Sequence, residues 1–171
     1  AFEFFSQTAL DKVIKHQGHP APFATQAPYY ALVEFETSPQ VTSVALALFE
    51  QCAAQGWVLD GVVSQSLAQT RALWRLREDI SETLWHWQPY KNDISVRVSK
   101  MSDFLAEVDQ LVAARYPDFE IVWYGHIGDG NLHLNILKPE DLPQTEFFER
   151  CGIVSLEIGE LLARYGGSIS A

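Results

Sequence analysis

Hydrophobic and polar residues recur along the chain at two spacings, and each spacing predicts one type of secondary structure. Apolar residues three and four apart predict helices over 5–17, 38–56, 66–87, 102–115 and 143–165. Runs of strand-forming residues predict strands over 29–36, 57–64 and 90–98, and two more within 119–137. Strands separated by helices, with one hairpin, predict an α+β fold: a ferredoxin-like, largely antiparallel sheet with helices packed on one face. A doubly wound parallel sheet is the alternative, which the hairpin disfavours.

Composition limits what such a domain can bind. The chain has 171 residues and is 47% hydrophobic, which favours a single domain with one sizeable core. It carries 12 Lys and Arg against 22 Asp and Glu, a net charge of −10. A field of that sign argues against binding nucleic acid or an anionic membrane surface through general electrostatic attraction. An anionic substrate would therefore need a few cations at specific positions.

Targeting signals and cysteines point to the cytoplasm. No apolar run approaches the ~20 residues of a transmembrane helix, and the amphipathic first residues do not resemble a signal peptide. Cys52 and Cys151 fall in helical patterns far apart, so we expect buried free thiols in a reducing compartment. The chain starts without Met and ends at GGSISA. We therefore expect it to be a piece of a longer protein. The oligomeric state stays open, and a homodimer is compatible with the sequence.

The hairpin within 119–137 contains two histidines that are candidate metal ligands. Asp129-Gly130 between two strands is a strong signal for a two-residue type I′ turn. That turn predicts that His126 lies directly opposite His133, and that Tyr124 and Asn135 form the next pair on the same face. Opposed Cβ atoms are about 4.5–5.5 Å apart, which allows two imidazoles to chelate one metal ion.

Two histidines do not complete a metal site. Catalytic zinc centres usually have three protein ligands and one open position, and no third ligand stands out in these 171 residues. The alternative is that both histidines pack or form hydrogen bonds within the sheet, without a metal.

The segment GHIGDGNLHLNI resembles the metal-binding motif of the FAD-linked oxidase family that includes D-2-hydroxyglutarate dehydrogenase, D-lactate dehydrogenase and the flavoprotein subunit of glycolate oxidase. Further resemblances follow in the family's order: AFEFF, PYYALVEFE, LWRLRED, YKNDISVRVSK and GGSISA. In the family, a Glu-His-Gly sequence comes directly after GGSISA. Its Glu is the third metal ligand and its His the proposed base. The resemblance thus implies that this chain stops one residue before the third ligand.

Substrate contacts are expected on the 66–87 helix and beyond. Helical spacing places Arg77 and Ser81 on one face, where an arginine could clamp a carboxylate. The alternative is a surface arginine paired with a neighbouring glutamate. The resemblance implies that Arg77 binds the substrate carboxylate and that Ser81 replaces a family threonine. It also implies that Lys91 is a second cationic contact, although it could instead cap a strand end, and that Asn135 lies beside the metal.

No nucleotide-binding motif is present, because neither GxGxxG nor a Walker pattern occurs in the sequence. The resemblance places FAD mainly in a preceding domain, so we expect neither FAD-binding nor catalytic residues in these 171 residues. The isolated chain should be inactive.

The resemblance implies oxidation of a small-molecule D-2-hydroxy acid to the 2-oxo acid with FAD and a divalent metal ion. Zinc is the first candidate for that ion. D-2-hydroxyglutarate is the first candidate, because Arg77 and Lys91 offer two cations to a dicarboxylate; D-lactate and glycolate follow. The alternative from another class is a ferredoxin-like metal-sensing or regulatory module without catalysis. A metallohydrolase is weaker, since the sequence shows no general base or full ligand set.

Overall fold

A computed structural model describes residues 1–36 and 38–170. Within these residues it contains six α-helices and six β-strands. The helices are α1 (Gln7–Gln17), α2 (Pro39–Ala54), α3 (Leu67–Glu78), α4 (Ile80–Leu84), α5 (Met101–Arg115) and α6 (Gln144–Arg164). The strands are β1 (Phe2–Ser6), β2 (Tyr29–Val33), β3 (Tyr90–Ser95), β4 (Glu120–His126), β5 (Asn131–Leu137) and β6 (Ser168–Ser170).

The six strands of the described residues form one sheet in the order β2-β1-β4-β5-β3-β6, and every neighbouring pair is antiparallel. Within it, β3-α5-β4-β5-α6-β6 is a βαββαβ unit whose strands lie in the order β4-β5-β3-β6, which is the ferredoxin-like arrangement. The predicted α+β class with an antiparallel sheet is confirmed, and the parallel alternative is wrong.

Helices cover parts of both faces of the sheet. α5 and α6 pack on one face around Trp123 and Leu134, as predicted for the ferredoxin-like unit. α1, α3 and α4 pack on the other face around Val122 and Tyr124. This second layer was not predicted. It forms because successive residues of β4 point to opposite faces and are apolar on both, so each face needs a cover.

The first strand replaces the start of a predicted helix. The helical pattern from residue 5 to residue 17 was expected to form one helix, but α1 begins only at Gln7 because Ser6 caps it by accepting a hydrogen bond from the Ala9 amide. The preceding residues form β1, which pairs with β2 on one side and β4 on the other. At its far end, α1 stops as predicted at Gly18, whose φ of 70° suits glycine.

Several other elements differ from the sequence prediction. Residues 57–64, all within the described part of the chain, form no strand, and Trp57 is 74% exposed. The strand predicted as buried over 29–36 is an edge strand in which only Tyr30 is buried among the residues described. The long helix predicted over 66–87 is interrupted at Asp79, between α3 and α4.

The second helix forms as predicted but is uncovered. Ser38 accepts a hydrogen bond from the Val41 amide, and Pro39 occupies the first turn. Its predicted apolar face is nevertheless exposed, with Val44 at 68% and Leu48 at 58%. The cap and the proline account for where this helix begins, and none of its residues is buried among the described part of the chain. No helix in the described part of the chain has both the length and the apolar character needed to cross a bilayer.

The two cysteines are free thiols in different surroundings. Cys151 lies on α6 and is fully buried in the core, and this burial raises the pKa of its thiol to about 12. Cys52 on α2 is half-buried. The prediction of buried free thiols is therefore correct for Cys151 and only partly correct for Cys52.

We expect iodoacetamide at pH 8 to alkylate Cys52 and to leave Cys151 unmodified in the folded protein. With a pKa of about 12, only about one Cys151 thiol in ten thousand is the reactive thiolate at that pH. Peptide mass spectrometry after timed alkylation measures this difference, and unfolding in urea should make both thiols react. Equal rates in the folded protein would contradict the burial of Cys151.

Candidate functional site

The histidine hairpin has a different register from the one predicted. The structure pairs His126 with Asn131 and Tyr124 with His133. The prediction that His126 lies opposite His133 is therefore wrong, and so is the predicted pairing of Tyr124 with Asn135. The shift is by two residues, an even number, so both histidines remain on the same face. They are diagonal neighbours, with ring centroids 5.4 Å apart and ring planes at 82°.

The turn explains the shift. A two-residue type I′ turn needs a positive φ at both central residues, but of Asp129 and Gly130, both of them described, only Gly130 has one, at 74°. The chain instead turns over four residues, 127–130, and the Gly130 amide donates to the Ile127 carbonyl at 3.3 Å. The Gly130 carbonyl accepts from the Val96 amide at 3.0 Å, which ties the turn to the chain beyond β3.

Each histidine contacts a carboxylate from the next strand. Nδ1 of His126 lies 2.7 Å from Oε2 and 2.8 Å from Oε1 of Glu3, its register partner on β1. Nδ1 of His133 lies 2.6 Å from Oδ1 of Asp93, its register partner on β3. Four neighbouring strands therefore present a row of side chains in the order Glu3, His126, His133 and Asp93.

This row determines which ring nitrogens are available. An ionised carboxylate only accepts hydrogen bonds, so Nδ1 is the donor in both histidines. In the neutral form of each ring, Nε2 then carries no proton, and this is the form that binds metals. Histidine ligands of metals commonly donate their other ring nitrogen to a carboxylate in this way. His126 and His133 are partly exposed, with side-chain exposures of 42% and 22%.

Arg77 is buried and paired within the same site. Its Nη2 atom lies 3.0 Å from Oε2 of Glu3, and both side chains are about nine-tenths buried. The guanidinium also lies over the Tyr124 ring, 4.7 Å from its centroid. The alternative of a surface arginine paired with a helix glutamate is therefore wrong. Arg77 is brought beside His126 because both contact Glu3.

Lys91 and Ser81 come together at the other end of the row. Nζ of Lys91 lies 3.4 Å from Oγ of Ser81 and 4.8 Å from the centroid of the Trp85 ring. Lys91 is exposed, and on β3 it is paired with Asn135 of β5. It shares a face with Asp93, two residues along the strand. All six residues predicted from the sequence thus lie on or over one face of the sheet.

Three buried polar atoms around this face lack partners. Among the described residues, Nε of Arg77 and the side-chain oxygens of Asn131 and Asn135 are buried without a hydrogen bond. Asn135 is only 1% exposed. Buried polar groups are normally satisfied, because leaving one unpaired costs about 1–3 kcal/mol. Their position around the histidines fits a polar ligand.

The histidine pair alone is not a full metal centre. Within residues 1–36 and 38–170, no group of three or more His, Cys, Asp or Glu side chains is placed to hold a metal ion. The carboxylates of Glu3 and Asp93 are occupied by Nδ1 of the histidines. His126 and His133 therefore supply two nitrogen donors, which suit a divalent ion such as zinc when another ligand is added.

Glu3 and Asp93 were not identified from the sequence, although each had a signal. Glu3 is a lone charge among the aromatic residues of AFEFF, where burial would require a partner. It was overlooked because the strand that carries it was not predicted. Asp93 lies two residues after Lys91 in an alternating strand, so the two had to share a face.

Comparison with protein families matches residues 1–171 to the family described as FAD linked oxidases, C-terminal domain. The chain belongs to this family. It is 59% identical over 172 residues to the D-2-hydroxyglutarate dehydrogenase of Stutzerimonas stutzeri strain A1501. This match covers 100% of the chain and 37% of that protein. It is 52% identical to the enzyme of the same name from Xanthomonas citri pv. viticola, of which it covers 36%.

A more distant relative is the mitochondrial D-2-hydroxyglutarate dehydrogenase of Danio rerio, which is 32% identical over 174 residues. The match covers 100% of this chain and 31% of that protein. The chain therefore spans about a third of the length of these relatives. The family resemblance expected from the sequence motifs is confirmed.

We expect Gly130→Ala to destabilise the hairpin and Gly128→Ala to be tolerated. A Cβ at Gly130 would lie 2.0 Å from the Val96 carbonyl oxygen, and its φ of 74° is strained for other residues. A Cβ at Gly128 meets no atom within 4 Å. Urea denaturation should show a loss of about 2 kcal/mol or more in the free energy of unfolding for Gly130→Ala. For Gly128→Ala the change should stay within about 0.5 kcal/mol. Equal stabilities would contradict this turn geometry.

Proposed function

We propose that this domain is the substrate- and metal-binding part of an FAD-dependent dehydrogenase that oxidises a D-2-hydroxy acid to the 2-oxo acid. The observation that carries the proposal is the placement of two histidines with free Nε2 atoms beside Arg77, on the face that also carries Lys91. D-2-hydroxyglutarate is the favoured substrate, supported by relatives of that name at 59% and 52% identity. D-lactate and glycolate are next.

His126 and His133 are the proposed ligands of a divalent ion, with zinc the first choice. The third ligand is proposed to come from a residue beyond these 171. A bound metal lowers the pKa of a coordinated hydroxyl, and FAD, held mainly by another domain, supplies the redox chemistry. The hydrogen bonds from Nδ1 of each histidine keep the imidazoles oriented and their Nε2 atoms directed to the ligand side.

Arg77 and Lys91 are the proposed contacts for the carboxylates of the substrate. Arg77 is held in place by Glu3 and Tyr124, and its buried Nε donates no hydrogen bond within the described residues. Lys91 is exposed, and its long hydrogen bond to Ser81 would be exchanged for a stronger one to a carboxylate. In a chain of net charge −10, these two cations are what would attract a dianion locally.

Ser81 and Asn135 are the proposed neutral contacts. Ser81 lies on α4 and supplies a hydroxyl 3.4 Å from Nζ of Lys91, while the buried Asn135 has an unpaired side-chain oxygen next to the histidine row. These roles position a substrate rather than change its bonds, so the 171 residues alone are expected to be inactive. The alternative of a metal-sensing module without catalysis is not favoured, because the named relatives are dehydrogenases.

Cytoplasmic location and assembly as a homodimer remain part of this proposal. The first is supported by the two unpaired cysteines, which suit a reducing compartment. The second is tested by measuring the mass of the protein in solution.

In the FAD-containing protein, we expect His126→Ala and His133→Ala each to weaken Zn²⁺ binding, because each variant removes one nitrogen donor. Each should also reduce kcat/KM for D-2-hydroxyglutarate by at least about a hundredfold. Zn²⁺ titration and flavin reduction kinetics measure the two effects. His16→Ala is the control, since His16 lies on α1 against His86 and outside the site. Wild-type activity in both site variants would refute the metal role.

A substitution at Lys91 tests whether the substrate is a dicarboxylate or a monocarboxylate. If this lysine binds the second carboxylate of a dicarboxylate, Lys91→Met should raise KM for D-2-hydroxyglutarate by at least about tenfold while changing KM for D-lactate by less than about threefold. The control is Lys100→Met, which removes an exposed lysine from the turn before α5. Equal effects on the two substrates would show that Lys91 does not select the dicarboxylate.

A further inference from the structure

Glu3 is the residue that connects the two halves of the site. It lies on β1, its side chain is 9% exposed, and its carboxylate contacts two partners of different proposed function. One is Nδ1 of His126, at 2.7 Å, and the other is Nη2 of Arg77, at 3.0 Å. Both contacts involve Oε2, so one buried oxygen serves the histidine and the arginine together.

The backbone fixes this arrangement. Glu3 and His126 are register partners in the antiparallel pair of β1 and β4, which directs both side chains to the same face. Arg77 reaches the same carboxylate from α3, above the sheet, and its guanidinium is held over Tyr124. A carboxylate this well buried is stable only with such partners, and each partner is in turn held in place by it.

We propose that Glu3 is a positioning residue shared by His126 and Arg77, and that its single negative charge sets the affinity of the site for a cation and for an anion in opposite directions. This inference rests on the proposed function, because it takes His126 as a metal ligand and Arg77 as a carboxylate contact. The carboxylate makes His126 a better donor to a positive ion. The same charge partly neutralises Arg77 and repels an incoming carboxylate.

The consequence is a change of opposite sign in two affinities. Glu3→Gln keeps the size of the side chain and a carbonyl oxygen that accepts hydrogen bonds, but removes the charge. Metal binding at His126 should then weaken, because its hydrogen-bond partner is neutral. Carboxylate binding at Arg77 should tighten, because the guanidinium is no longer neutralised. A purely structural role for Glu3 would weaken both.

Asp93 provides an internal comparison. It makes the corresponding contact with His133, at 2.6 Å, but its side chain is 54% exposed and the structure pairs it with the histidine rather than with an arginine. Asp93→Asn should therefore weaken metal binding without tightening carboxylate binding. Glu78→Gln removes the same charge from an exposed position next to Arg77 in sequence and should change neither affinity.

The experiment uses the full-length, FAD-loaded protein and two probes. Zn²⁺ affinity is measured by competition with a chelator. Affinity for glutarate, a dicarboxylate without the reacting hydroxyl, is measured by calorimetry on metal-free protein. For Glu3→Gln we expect Zn²⁺ binding to weaken by about tenfold or more and glutarate binding to tighten by about threefold or more. For Asp93→Asn, Zn²⁺ binding should weaken by about tenfold and glutarate binding should stay within about twofold of wild type.

The inference is overturned if Glu3→Gln leaves Zn²⁺ affinity unchanged, or if it shifts both affinities in the same direction. Failure of the proposed function gives a different result: wild-type protein that binds neither Zn²⁺ nor glutarate, or whose Zn²⁺ affinity is unaffected by His126→Ala. The two failures are therefore distinguishable.

If Glu3→Gln does not fold, the double variant Glu3→Gln with Arg77→Gln removes both charges of the buried pair. It tests the predicted effect of Glu3 on Zn²⁺ affinity. Loss of the positive charge of Arg77 favours a cation, so weaker Zn²⁺ binding by the double variant is attributable to Glu3. The double variant is therefore compared with Arg77→Gln alone, and the inference is overturned if the double variant binds Zn²⁺ no more weakly than Arg77→Gln.

Discussion

The site depends on the register of four neighbouring antiparallel strands, β1, β4, β5 and β3. Because side chains alternate between the faces of a strand, this register places Glu3, His126, His133 and Asp93 on one face in a continuous row. The ends of the row are carboxylates and its centre is two imidazoles. A shift of one residue in any of the three pairings would move one of these side chains to the opposite face, among the core residues under α5 and α6.

The two layers of helices cover opposite faces of the sheet that carries this row. α5 and α6 complete the ferredoxin-like unit and bury the face opposite the histidines. α1, α3 and α4 cover only part of the other face, near β1, β2 and the middle of β4. The histidines remain partly exposed beside this layer, and α3 brings Arg77 to them. The second layer thus leaves room for a ligand and carries a cation to its edge.

Charge is balanced locally in the site. Arg77 and Glu3 form a buried ion pair, a kind of pair that contributes little net stability but is costly to break from one side. Such a pair is better suited to holding side chains in fixed positions than to stabilising the fold. Among the described residues, the oxygens of Asn131 and Asn135 and Nε of Arg77 are buried polar atoms without hydrogen-bond partners at this same face.

The sequence by itself determined the α+β class, most of the elements and the hairpin, because helical and strand spacings and the caps at Ser38 and Gly18 act locally. It also supplied the family motifs. It did not determine the hairpin register, which depends on the φ of Asp129, or the contact of His126 with Glu3, 123 residues away. Only tertiary structure decided that contact, because strands distant in sequence are paired by packing of both faces of the sheet. The predicted strand at 57–64 failed for the same reason: strand-forming residues need a neighbouring strand, and propensity does not supply one.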